Sequence, residues 1–247
     1  MQKRTVKALF LRKQHGQPVV SVNKLLLFAD IGISGDANKS ILSPRQVLLV
    51  SEDVLVEYSL PAGSLRENIT VAGFDVNSLE SGNEISIGEV KLKISFENER
   101  CNVIRKEIKS NRGVFATVVC GGEINIGDAL DITSNNTTTL NGKRLDLFLR
   151  FIEQIPEGKV VTYGQIIDAI GGIRAHLRII PIFIKKAIMQ DKQYPIHRIV
   201  NIRGELISHH ISNQIELLEK ENVKISDKKI DIGKYLWMPS KSIYNLM

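Results

Sequence analysis

What most constrains this chain is a change of hydrophobic period across residues 133–142, "TSNNTTTLNG". The stretch is polar, low in complexity and poor in core formers, so it reads as a linker or an exposed hairpin tip. Before it the text consists of short β-forming runs, "VKALFL", "RQVLLVS", "VLVEYSL", "EISIGEVKLKISF", "GVFATVVC" and "DALDIT", punctuated by "GISGD", "PAGS", "VAGF", "ESGN", "CGGE" and "NIGD". Even spacing with glycine punctuation is how a barrel or sandwich is written. After it the apolar residues recur at helical spacing. The expected class is therefore α+β in two domains: residues 1–134 mainly β, 135–142 a linker, and 143–247 helical.

Charge separates the same two parts. Residues 1–140 carry 16 Lys/Arg and 16 Asp/Glu, whereas 141–247 carry 17 and 11, so the whole net charge of +6 belongs to the C-terminal part. A basic module beside a neutral one points to a polyanion met by one of them; a solvated lysine surface is the alternative. The opening "MQKRTVKALFLRKQHG" has too short an apolar run for a signal peptide and reads as a first strand. Runs such as "KLLLFAD" fall far below the roughly 18 residues of a membrane span, so a cytoplasmic protein is expected. Cys101 and Cys120 match no disulfide framework and no zinc spacing. Cys120 lies in the apolar run "FATVVC" and is expected in the core.

In the second half, "KRLDLFLRFIEQI" puts Leu145, Phe148, Leu149 and Ile152 on one helical face. "TYGQIIDAIGG" starts with Thr162 as a candidate N-cap and ends in glycine. "RIIPIFIKKAIM" is helical with Pro181 in its first turn or at a kink, and "ISNQIELLEKENV" makes a fourth helix. Two short helices around a glycine turn in a basic region outline a helix-turn-helix.

These residues also carry a resemblance. "IPEGKVVTYGQIIDAIG", "PIHRIVNIRGEL", "LLEKENV" and "KYLWMP", in that order over about residues 143–239, resemble the C-terminal domain of DNA alkylguanine alkyltransferases, and more closely the non-enzymatic alkyltransferase-like proteins. The resemblance implies a winged helix-turn-helix that flips an alkylated guanine out of double-stranded DNA. In the enzymes the middle motif reads Pro-Cys-His-Arg, with the cysteine prepared by a histidine that a carboxylate orients. Here Pro195, His197 and Arg198 match, and Glu221 matches the orienting carboxylate, but the nucleophile position is Ile196. Isoleucine has no lone pair to attack with, so alkyl transfer by this route is excluded. Tyr163 matches the tyrosine that crowds a phosphate and assists rotation of the base. Arg178 is the candidate to fill the vacated stack, with Arg174 as its rival. Trp237 reads as a core plug, and Lys185 and Lys186 as phosphate contacts or a wet helix face.

The first half resembles the MOSC domain, named for the C-terminal domain of molybdenum-cofactor sulfurases, on "GISGDAN", "LRENIT", "IGE" and "GGEINIGD" over about residues 5–133. That implies a β-barrel. Cys101 matches the family's cysteine, a soft thiolate suited to carrying sulfur or ligating the metal of a molybdenum cofactor; a small buried hydrophobe is the alternative. Many members have proline before this cysteine and histidine after the "GD", where this chain has Arg100 and Asn38.

Two functions follow as expectations. One is a DNA-binding protein that recognises alkylated guanine without repairing it and signals to repair proteins, with the barrel as an appendage of sulfur or molybdenum-cofactor role. The alternative is a cofactor- or sulfur-handling MOSC protein, with catalysis in the barrel, whose C-terminal domain only anchors it to DNA or protein.

Overall fold

In a computed structural model of the chain the described residues are 3–99, 104–133, 144–172, 174–207 and 211–240, with only the backbone of Arg174 and Ala175. Cys101, His209 and His210 lie outside them. The chain divides into two compact units, residues 1–141 and 142–240. No helix among the described residues is long and apolar enough to cross a membrane.

The N-terminal unit is built on β1 (Thr5–Leu11), β2 (Val20–Val22), β3 (Lys24–Phe28), β4 (Gly32–Ile33), β5 (Val47–Ser51), α1 (Glu52–Glu57), β6 (Ile69–Ala72), β7 (Glu84–Ile87), β8 (Val90–Glu97), β9 (Val114–Cys120), β10 (Gly122–Asn125) and β11 (Leu130–Thr133). Eight of the strands form one sheet in the order β11-β7-β8-β9-β5-β6-β1-β2, and β10-β3-β4 form a second. The large sheet curls because the β8–β9 ladder is bulged twice, with Val119 of β9 extra between the pairings of Lys91 and Leu92 and Ser95 of β8 extra between those of Ile94 and Phe96, and a bulge bends and twists its strand. It returns on itself where Thr5 bridges Ala129 and the Leu130 amide donates to the Arg4 carbonyl. The inner face carries Leu9, Val47, Leu49, Ile69, Ile85 and Leu92, all buried, each worth about 1.5–3 kcal/mol on burial. β5 has no exposed face: Leu48 and Val50 are covered on its other side by Val54, Leu55 and Phe115.

Cys120 departs from expectation. It is exposed, because β9 loses its cover over its last two residues, where it runs out past the bulge opposite Lys91.

The C-terminal unit contains α2 (Arg144–Glu153), β12 (Val161–Thr162), α3 (Tyr163–Ala169), α4 (Ile180–Ile188), β13 (Ile199–Val200), α5 (Gln214–Lys220), β14 (Ile225–Ser226), β15 (Lys229–Ile230) and α6 (Ile232–Tyr235). In α2 the buried residues are Phe148, Phe151 and Ile152, with Leu145 and Leu149 at the margin. The core face is thus rotated toward Phe151, whose ring packs 5.6 Å from that of Trp237. Thr162 closes a capping box with Gln165 at the start of α3, and Gln165 also donates to the Trp237 carbonyl at 2.8 Å. Pro181 lies in the first turn of α4, where its missing N–H costs nothing. A 3-10 segment, Arg174–Ile179, joins α3 to α4. β12 and β13 pair in parallel. β14 and β15 form a hairpin whose loop residues Asp227 and Lys228 both have positive φ, as the turn that matches strand twist requires.

Candidate functional site

The "PIHR" motif forms a single 3-10 turn, Ile196–Arg198, entered from Pro195 and leading directly into β13. Its geometry is set by Glu221 at the C-terminal end of α5. His197 Nε2 donates to Glu221 Oε1 at 2.7 Å. Arg198 donates from Nε to both carboxylate oxygens at 3.0 Å and from Nη2 to Oε1 at 2.6 Å, while Nη1 reaches the Ile155 carbonyl at 2.6 Å. The Gly158 amide adds a further bond to Oε2 at 3.0 Å. Gly158 has φ +71 and a Cβ there would press on the Glu221 carbonyl at 3.1 Å, so the loop "PEGK" needs its glycine to come this close.

The Glu221 side chain is only 10 % exposed. Burial acts to raise its carboxyl pKa, but the hydrogen bonds from Arg198, His197 and the Gly158 amide outweigh that, and the group is held below its ordinary range. It stays ionised and keeps His197 donating through Nε2. Arg198 thereby braces Glu221 and Ile155, a positioning role in addition to any contact with a ligand.

A residue that the sequence reading passed over completes this frame. Gln214 is fully buried; its amide donates to the carbonyls of His197 at 3.0 Å and Ile199 at 2.8 Å and accepts from the Ile207 amide at 2.7 Å. It pins the far side of the histidine turn to the segment after Gly204. The signal was there: Ile211, Gln214, Leu218 and Glu221 fall on one stripe of a helix, and a polar residue on a buried stripe is either satisfied or costly.

The remaining candidates lie on the two helices. Tyr163 opens α3, half-buried, and burial alone pushes its phenol pKa up, so the hydroxyl is a neutral donor at physiological pH. Arg178 is exposed near the end of the 3-10 segment. Arg174 begins that segment, with its side chain outside the described residues. Ile196 and Pro195 are half-buried. Lys185 and Lys186 are exposed in the last turn of α4.

In the N-terminal unit a cavity of about 490 Å³ is lined by Phe10, Pro61, Gly63, Arg66, Ile104 and Arg105, among others. The aspartate of "GISGD" does not face a ligand: Asp36 is buried and accepts from the amides of Arg12 and Asn38 and from Asn68 Nδ2. Arg112, also fully buried, donates to the carbonyls of Ile104, Arg105 and Ile108 and so holds the loop beside the cavity. The two arginines at the cavity suit an anionic group. Among the described residues no His/Cys/Asp/Glu cluster could hold a metal ion.

Comparison with known proteins assigns both units. Residues 30–131 match the MOSC domain family, and 146–223 match the family described as "6-O-methylguanine DNA methyltransferase, DNA binding domain". Alkyltransferase-like protein 1 of Schizosaccharomyces pombe is 32% identical over 95 residues, which are 35% of this chain and 86% of that protein. The chain belongs to the alkyltransferase-like proteins. A second member of similar likeness, the DNA base-flipping protein of Vibrio parahaemolyticus, is 33% identical over 96 residues, 36% of this chain and 89% of that protein. A solved structure of S. pombe Atl1 in complex with damaged DNA containing O6-carboxymethylguanine is 28% identical, covering 39% of this chain and 95% of that one with a TM-score of 0.35. This alkyltransferase-like protein thus carries a MOSC domain ahead of the region it shares with those relatives.

Proposed function

We infer that the C-terminal unit binds double-stranded DNA at an alkylated guanine, takes the flipped base into a pocket beside the histidine turn, and holds it without alkyl transfer. The observation that carries this reading is a frame of His197, Arg198 and Gly158 gathered on one ionised Glu221, with Gln214 holding the backbone of the histidine turn, around a turn whose reactive position is Ile196. An orienting carboxylate and histidine without a nucleophile fit recognition rather than chemistry. The relatives named for base flipping and for alkyltransferase likeness support the same reading. In it, α3 and α4 act as the helix-turn-helix and the β14–β15 hairpin as its wing. Tyr163 donates to a backbone phosphate, Arg178 occupies the vacated stack with Arg174 as the alternative, and the bound lesion marks the site for repair proteins in the cytoplasm. The domain boundaries proposed for this division of labour are 1–134 and 143–247.

The test is equilibrium binding of the chain to two short duplexes identical except for one O6-methylguanine, over a salt series, with the methylated strand analysed afterwards. Tighter binding to the methylated duplex that survives moderate salt, with the methyl group still on the DNA, is the expected result. Equal affinity with a steep salt dependence would reduce the unit to a nonspecific anchor held by phosphates.

A second reading, a sulfur- or cofactor-handling barrel with the C-terminal unit as anchor, is favoured by the arginine-lined cavity alone. Cys101, which the family resemblance assigns to cofactor ligation, lies outside the described residues, and no step is derived through it. Molybdenum co-purifying in stoichiometric amount, with no lesion preference, would turn the reading toward the barrel.

A further inference from the structure

α4 buries Ile180, Ile184 and Ala187, a spacing of four and three that marks its core side. Its other side is not the polar face such a helix ordinarily shows. Ile182 is 53% exposed and Met189 84% exposed, with Lys185 and Lys186 exposed between them. Arg178, also exposed, stands four residues before Ile182 in the 3-10 segment that leads into α4. Within α4 and its C-cap, positions 182, 185 and 189 follow one another at helical spacing, so large apolar side chains and a cation alternate along a single stripe. Single exposed hydrophobics are ordinary, but a contiguous set on one face marks a surface that something covers.

The charge of the segment selects what covers it. Between Asp168 and Asp191 the chain has four Arg/Lys and no Asp or Glu. Two copies of this stripe would bring like charges together, which opposes self-association. A duplex minor groove offers the complement: phosphates on both rims and, between them, sugar carbons and base steps into which apolar side chains can wedge.

We propose that Ile182 is an apolar wedge seated in the minor groove, while Lys185 and Lys186 hold the flanking phosphates. The proposal rests on the DNA-binding role of the C-terminal unit but not on its preference for a lesion. Its consequence is a part of the affinity that does not depend on salt. The bulky residues of α4 then extend the contact made at Arg178 instead of obstructing it.

The full chain is titrated against a fluorescent duplex and its O6-methylguanine counterpart across a salt series, as wild type, Ile182→Ala, Ile182→Leu and the double variant Lys185→Ala/Lys186→Ala. Ile182→Ala should weaken binding to both duplexes about tenfold at every salt concentration, the effect of withdrawing one large apolar side chain from a contact. Its slope of log affinity against log salt should be unchanged, and Ile182→Leu should restore most of the loss. The double lysine variant should instead lower the slope by about 2. Because Ile182 points away from the core, emission from Trp237 should match wild type in every variant. Affinity of Ile182→Ala within twofold of wild type overturns the wedge, as does a changed salt slope. A shift of Ile182→Ala to smaller particles in sedimentation, with DNA affinity intact, would give the stripe to a second copy. A wild-type chain that binds both duplexes equally, yet loses tenfold with Ile182→Ala, sinks the lesion reading and keeps the wedge.

Discussion

Each unit holds one fully buried glutamine that satisfies three backbone groups. In the N-terminal unit Gln46 donates to the carbonyls of Asp30 and Ser40 and accepts from the Val118 amide. In the C-terminal unit Gln214 donates to those of His197 and Ile199 and accepts from Ile207. The device is the same, but the surroundings differ. Gln46 fastens a loop onto a sheet whose register is already set by long ladders such as β8 with β9. Gln214 works among strands of two residues, β12 and β13, which specify little register by themselves. Polar side chains are accessory where strands are long and become the scaffold where they are short. It follows that the barrel should resist loss of its glutamine better than the smaller unit does.

The strongest way to break this contrast is Glu221→Ala. It takes the carboxylate from the Arg198 guanidinium and the acceptor from His197 in a mostly buried place and should cost about 3–5 kcal/mol. Emission from Trp237, the single tryptophan, should report the loss during urea unfolding, and lesion binding should vanish with it. Gln214→Leu comes next, at about 2–3 kcal/mol, since three buried backbone groups lose their partner; the same transition, with DNA affinity alongside, would register it. Gln46→Leu should cost about 1–2 kcal/mol, seen in far-UV circular dichroism, with DNA affinity unchanged. Were Gln46→Leu the more damaging of the two, the distinction between ladder and side-chain scaffold would be wrong.

Acid sharpens the comparison further. The Glu221 carboxyl is held low in the folded unit, so its stabilisation is fully present above the ordinary glutamate pKa. It is lost as pH falls through the lower, folded value. Unfolding followed at Trp237 should therefore show an acid-dependent loss of stability that Glu221→Gln removes. The smallest effect is expected for Tyr163→Phe, within about 0.5 kcal/mol in stability but weaker by a few fold on DNA, as measured in the duplex titration.

Much of this was legible in the residues. The Thr162 cap follows from local chemistry, Pro181 takes the first of the two places its residues allow, and the pairing of His197 with Glu221 follows from the family resemblance. A barrel was expected, but the places where its sheet bends were not legible, because the bulges at Val119 and Ser95 leave no periodic mark. Cys120 misled because an apolar run does not tell where its sheet stops covering it. Gln214 and Gly158 were missed for a third reason. Each is ordinary in its own segment and acquires meaning only from a partner that the chain brings from elsewhere.

The bond from Gly158 to Glu221 spans 63 residues of sequence, and that separation has a kinetic meaning. A turn or a capped helix can form early, from neighbours in the chain, but a contact of this length waits for a large loop to close. The recognition frame should therefore assemble among the last features of its unit during refolding. A chain whose helices have formed but whose Glu221 has not yet met Gly158 would have the outline of its helical unit without the frame proposed to hold a base.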